Sequence, residues 1–234
     1  MQSARLQSEF KKLADPVRAK NLARFFKTGS GEYGEHDQFY GITVPEIRRV
    51  ASQFHQLSLT DIAKLLQSPV HEVRFAALVI LVWQFEHGDE AVRQSIYDFY
   101  LRHTDQINNW DLVDTSTPKI VGAYLFGQKD RSVLYRLVQS KSIWERRIAV
   151  LSTFYFIDHG QFDNSLKLAK LLLKDEHDLI HKAVGWMLRE IGKRSESTLR
   201  EFLDQHAVQM PRTMLRYAIE KFSPPERQKY LQKV

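Results

Sequence analysis

Four short segments place a small alanine just behind a basic residue. They are Val73-Arg74-Phe75-Ala76-Ala77-Leu78, Arg146-Arg147-Ile148-Ala149-Val150, His181-Lys182-Ala183-Val184 and Arg216-Tyr217-Ala218-Ile219. The separations between Ala77, Ala149, Ala183 and Ala218 are 72, 34 and 35 residues. This spacing predicts a unit of 34 to 36 residues, with one further unit near residue 113. Helix-pair solenoids of the HEAT, armadillo and tetratricopeptide kinds repeat on this scale. A small side chain allows close helix crossing, and the preceding charge then falls on a common face of a superhelix. In that register Arg74, Arg147, Lys182 and Arg216 form one basic row. Four ordinary helices with solvated lysines and arginines satisfy the same spacing.

The apolar period agrees with helices. Val73, Ala76, Ala77, Ile80, Leu81 and Trp83 follow i, i+3, i+4, i+7 spacing, as do Ile148, Leu151 and Tyr155. Pro16, Pro45, Pro69, Pro211 and the Pro224-Pro225 pair stand where helices start or turn. Ser58-Leu59-Thr60-Asp61 and Ser68-Pro69-Val70-His71 read as passages from loop into helix. No run of alternation bounded by hairpin turns marks a strand. The expectation is an all-α, HEAT-like helical-repeat superhelix of about a dozen helices, with a basic concave face, as a single domain over 1–234. The segment 29–38 interrupts it. Three glycines and three acids there predict a mobile loop, either a lid or a long connection.

Composition narrows the function. A hydrophobic fraction of 43% with 12% aromatics suits a folded chain. The absence of cysteine excludes disulfides, zinc fingers and thiol catalysis. Residues Met1 to Lys20 are charged throughout and lack the apolar core of a signal peptide. The longest apolar run, Phe75 to Trp83, is about half of what a membrane-spanning helix needs. A cytoplasmic protein is expected. Its formal net charge of +6 favours polyanionic partners through long-range attraction.

One segment carries chemistry: Asn108-Asn109-Trp110-Asp111-Leu112-Val113-Asp114. Trp110 and Asp114 are four residues apart, one helical turn above each other on the same face. An indole beside a carboxylate is a poor core pair, since burying an unpaired carboxylate is costly. It is a good cradle for a cation, which both the ring face and the carboxylate attract. The alternative is that Trp110 packs in a helix seam while Asp114 caps or pairs. Asp111 points about 100° away from Trp110 and suits a cap or salt bridge. Pro118 ends or kinks the helix soon afterwards.

Arg147 fits the basic row better than Arg146, and a guanidinium fork suits phosphate. Trp186, after Gly185, could line the same wall as Trp110 or simply fill core. His177 and His181 are four apart, but no third ligand completes a metal site. No phosphate-binding glycine loop and no serine-hydrolase elbow is present.

Three motifs in order resemble the AlkD-type DNA alkylation repair family, HEAT-like-repeat alkylpurine DNA glycosylases. They are Asn109-Trp110-Asp111-Leu112-Val113-Asp114, Ile143-Trp144-Glu145-Arg146-Arg147-Ile148-Ala149 and Lys182-Ala183-Val184-Gly185-Trp186-Met187-Leu188-Arg189-Glu190. Weaker similarity runs from Ala23-Arg24-Phe25 through Gly41-Ile42-Thr43-Val44-Pro45-Glu46 to about Lys221. The resemblance implies that Asp114 is the catalytic aspartate and that Trp110 and Trp186 are the functional tryptophans. It makes Arg147 the arginine that contacts DNA; the basic row adds Lys182, Arg74 and Arg216 as further candidate contacts. Phe25 stands where the best-known type has a tyrosine, which removes a hydroxyl from the DNA-facing wall. The 29–38 loop is longer than in the compact type.

The resemblance further implies excision of cationic N3- or N7-alkylated purines from duplex DNA without base flipping. No cofactor and no metal are expected, and the partner is double-stranded DNA with alkylated bases, bound by a monomer. Two alternatives remain: a non-catalytic binder of damaged or branched DNA, and a protein-interaction scaffold. A groove neutralising about six phosphates would show a log–log salt slope near −5, whereas a scaffold would show none.

Overall fold

The computed structural model describes residues 2–232, and among these the only regular elements are helices. The chain divides into two compact units, Met1–Ile120 and Val121–Val234, each with its own core.

The first unit holds α1 (Gln2–Lys12), α2 (Pro16–Phe25), α3 (Val44–Ala51), α4 (Leu59–Leu66), α5 (His71–His87), α6 (Glu90–Arg102) and α7 (Trp110–Thr117). Local chemistry sets the starts. The Asp15 carboxylate accepts from the amides of Val17 and Arg18, and Pro16 pre-sets the first helical residue of α2. Thr43 and Glu46 form a reciprocal capping box at α3, and Ser58 caps α4. Helix α5 is the central element of this unit. It is apolar around its circumference because α3, α4, α6 and α7 pack against it from different sides.

At the junction the helix changes its pitch. Pro118 has no amide hydrogen to donate, and Pro118–Gly122 forms a wider π-helical turn before α8 (Ala123–Phe126). The second unit continues with α9 (Ser132–Leu137), α10 (Ile143–Asp158), α11 (Asp163–Leu171), α12 (Asp178–Arg194), α13 (Glu196–His206), α14 (Arg212–Ala218) and α15 (Pro224–Leu231). Helices α10, α12 and α14 pack in succession as one row, while α9, α11 and α13 lean against it as a second.

The alanine register marks the packed row. Ala149, Ala183 and Ala218 lie on α10, α12 and α14, and all three are buried. Gly185 shows how close the helices approach. A β-carbon there would stand 2.5 Å from the carbonyl oxygen of Met214 and 2.5 Å from Cβ of Tyr217, both on α14.

The segment 29–38 is a loop, as expected, and its turns are hydrogen-bonded. Gly34 and Asp37 donate backbone bonds to the carbonyls of Lys27 and Gly34, and Glu32 and Glu35 accept from the amides of Gly29 and Gly31. Its end is fastened to the start of α5: Gln38 donates to the carbonyl of Pro69, and His71 donates back to that of Gln38. The glycines supply the turns, and Glu32 and Glu35 satisfy amides of the segment's own backbone.

Candidate nucleic-acid interface

In the first unit, four charged side chains from three chain segments meet at the start of α7. Asn109 caps the helix, its side-chain oxygen accepting from the amide of Trp110 at 2.8 Å while its Nδ2 donates to Asp37 Oδ2 at 3.1 Å. Asp111 accepts from His71 Nε2 at 2.8 Å, and Asp37 accepts from His71 Nδ1 at 3.1 Å. Arg74 donates to Asp37 Oδ1 at 2.6 Å and to the carbonyl of Ser68 at 2.9 Å.

A neutral imidazole donates from one nitrogen only. His71 contacts a carboxylate through each, so the arrangement selects the imidazolium. Burial opposes that charge, but the attraction of Asp111 and the bonds to both carboxylates push the His71 pKa up to about 9. Burial likewise opposes ionisation of Asp37, yet His71, Arg74 and Asn109 hold its carboxyl below the usual range. Two cations face two anions, so the buried cluster is neutral.

An aromatic column stands on this cluster. Phe26 lies 4.7 Å from the His71 ring and stacks on Trp110 at 5.3 Å with an 18° interplanar angle. Phe39 stacks on both Phe26 and His71. Phe25 meets Trp110 edge-on at 5.9 Å and is itself 63% exposed. Trp110 is half-buried, so this wall is partly open to solvent. Asp114 lies one turn further along α7, about 6 Å of helical rise away. It too is half-buried. Below it, Tyr100 bonds Ser116 and Thr117; burial raises the Tyr100 pKa, and the charge of Asp114 adds to the rise.

Trp110, Asp114 and Phe25 are thus gathered in one unit. Arg74 is there too, in a different role from the one expected. It is only 3% exposed and ion-paired with Asp37, so it does not stand on an open basic face. The period that placed it in the basic row holds for the helix position but not for the direction of the side chain, which Asp37 draws inward.

In the second unit, Trp186 is half-buried on α12. Its indole nitrogen donates to Glu190 Oε1 at 3.2 Å, and Phe154 of α10 lies 5.6 Å from its ring. Glu190 is buried and also receives Lys193 at 2.7 Å. Burial opposes its charge, but Lys193, Trp186 and Arg194 keep its carboxyl below the usual range. Arg147 is buried and donates to the carbonyl of Leu179 at 2.6 Å, which ties α10 to the start of α12. Arg146 is held by Asp175 at 2.7 Å. Lys182 is half-exposed and paired with Asp178 at 2.6 Å, and Arg216 is exposed on α14. His177 accepts from the amide of Leu179, and among the described residues no group of three potential ligands gathers for a metal ion.

Asp37, His71 and Phe26 are the residues the sequence did not single out. Asp37 lies in the glycine-rich loop 29–38, and His71 is one of nine scattered histidines. Their partners are tens of residues away, where no local pattern reaches.

Residues 6–222 match the family model described as DNA alkylation repair enzyme. The chain belongs to that family. The match includes every candidate site residue named above. A solved structure from Enterococcus faecalis, described as a predicted DNA alkylation repair enzyme, is similar with a TM-score of 0.71 at 16% identity. The similarity covers 90% of this chain and 97% of that one. A crystal structure of smu.31 from Streptococcus mutans UA159 is similar with a TM-score of 0.51 at 16% identity, covering 99% of this chain and 95% of that one. At such identities these likenesses concern the fold, and they agree with an all-helical repeat architecture. No curated protein matches the chain. Among the described residues no helix is long and apolar enough to cross a membrane.

Proposed function

We propose that this DNA alkylation repair family member is a DNA glycosylase that releases cationic N3- or N7-alkylated purines from duplex DNA. The observation that carries the reading is the pairing on α7 of a partly open indole with a carboxylate one turn away, beside a buried, ion-paired cluster. Alkylation at N3 or N7 puts a positive charge on the purine and weakens its bond to the sugar. As that bond breaks, the electron pair leaves with the base, which departs neutral, and the charge passes to an oxocarbenium-like deoxyribose. Asp114 stabilises this cation at short range and orients the water whose oxygen attacks C1′; the water's proton passes to solvent. The face of Trp110 holds the sugar beside it.

No proton need be given to the leaving base, so a pocket enclosing it is not required, and selection follows bond lability. Lys182 and Arg216 serve as phosphate contacts from the second unit, and Trp186 offers DNA a further aromatic surface. Arg147, buried against the carbonyl of Leu179, fixes the start of α12, the helix that carries Lys182 and Trp186.

The test is release of free base from duplex DNA bearing a single 7-methylguanine, by wild type and by Asp114→Asn. The variant keeps the shape of the side chain and removes the charge, so DNA binding is expected to persist while release is lost. Equal release by both would refute the role of Asp114. No release by either, with salt-sensitive binding intact, would replace the glycosylase by a non-catalytic DNA binder.

A further inference from the structure

The second row of the second unit carries a surface unrelated to Trp186, Arg147 or Lys182, which lie on α10 and α12. Lys167 and Lys170 are three residues apart on α11, Lys174 lies in the turn after it, and all three line one cleft. All three are exposed, and none is ion-paired among the described residues. Beside them runs a cleft of about 670 Å³ between α11 and α9, reaching the 3₁₀ turn Ala207–Gln209. Tyr135, Gln139 and Gln209 form its polar sides, while Leu171 and Leu173 are its apolar lining, and no carboxylate lines it. Leu171 is 55% exposed, and Val208, next to Gln209, is 70% exposed.

Three unneutralised cations attract an anion, while the exposed Leu171 side chain favours an apolar contact. Each candidate occupant meets these demands differently. A DNA backbone supplies phosphates but nothing to cover the exposed Leu171. A bilayer surface is flat, whereas Leu173 is recessed and buried. An acidic peptide with apolar side chains satisfies both demands.

We propose that this cleft docks an acidic amphipathic segment of a partner protein, with carboxylates on Lys167, Lys170 and Lys174 and an apolar side chain against Leu171. The surface would be used separately from any DNA contact made through α10, α12 and α14.

The test uses the full chain and a fluorescein-labelled helical peptide of about 16 residues, glutamates on one face and leucines on the other, in a polarisation assay. Saturable binding is expected, weakened about tenfold by the Lys167→Glu, Lys170→Glu, Lys174→Glu triple variant. Replacing the peptide's leucines with serine is expected to weaken it similarly. The three side chains are exposed, so circular dichroism should show an unchanged fold. Absence of saturable binding, or binding indifferent to the charge reversal, would overturn the proposal. So would a reversal that abolishes binding of a short DNA duplex, or of phosphatidylserine vesicles, and spares the peptide.

Discussion

Replacing His71 by glutamine tests the buried cluster beneath Trp110. Glutamine has one amide group to donate and no charge, so Asp37 and Asp111 lose the cation between them. The size of the effect follows from the proton. An imidazole that titrates near 6.5 in the unfolded chain and at about 9 in the native one is shifted by about 2.5 units. At 1.36 kcal/mol per unit this is about 3 kcal/mol of pH-dependent stability. Because the native pKa is the higher, the contribution is fully present below about pH 6.5. It falls as the pH rises and is lost once the pH passes about 9. Urea unfolding at pH 6.5, 8 and 9.5 should therefore show wild type losing about 3 kcal/mol that the variant does not lose, apart from groups common to both. A nitrogen-resolved NMR spectrum at pH 8 should show both ring N–H groups of His71. Parallel stability curves for the two proteins, or a single ring proton at pH 8, would refute the doubly bonded imidazolium and with it the argument that the cluster is charge-balanced.

Two other perturbations probe the packing and the DNA contacts. Gly185→Ala gains about 1 kcal/mol of helix propensity but forces a β-carbon to 2.5 Å from backbone of α14. Overpacking of this kind costs about 1–3 kcal/mol, so a lowered urea midpoint is expected, and a raised one would mean that α12 and α14 separate easily. Lys182→Ala and Arg216→Ala should each weaken binding to alkylated and ordinary duplex alike and reduce the log–log salt slope by about 0.9; an unchanged slope would remove that residue from the phosphate contacts.

The candidate site was legible in the sequence to a definite depth. Trp110 and Asp114 could be placed on one helical face because four residues make about one turn whatever surrounds the helix. The end of α7 at Pro118 follows from that residue's missing donor. Whether the indole is open, and what holds it, depends on Phe25, Phe26, Phe39 and His71, none of which lies within 30 residues of it.

What the sequence determined alone is the class of fold and the spacing of its helices. Periodicity, caps and prolines act over a few residues, and the alanines at 149, 183 and 218 recur because successive crossings need a small side chain at the same place. The tertiary structure decided which charges face inward. Arg74 and Arg216 hold similar positions in the repeat, yet one is buried and the other exposed. The difference is Asp37, 37 residues before Arg74. A guanidinium is stable inside only where acceptors meet it, here the Asp37 carboxylate and the Ser68 carbonyl, and folding alone brings them there.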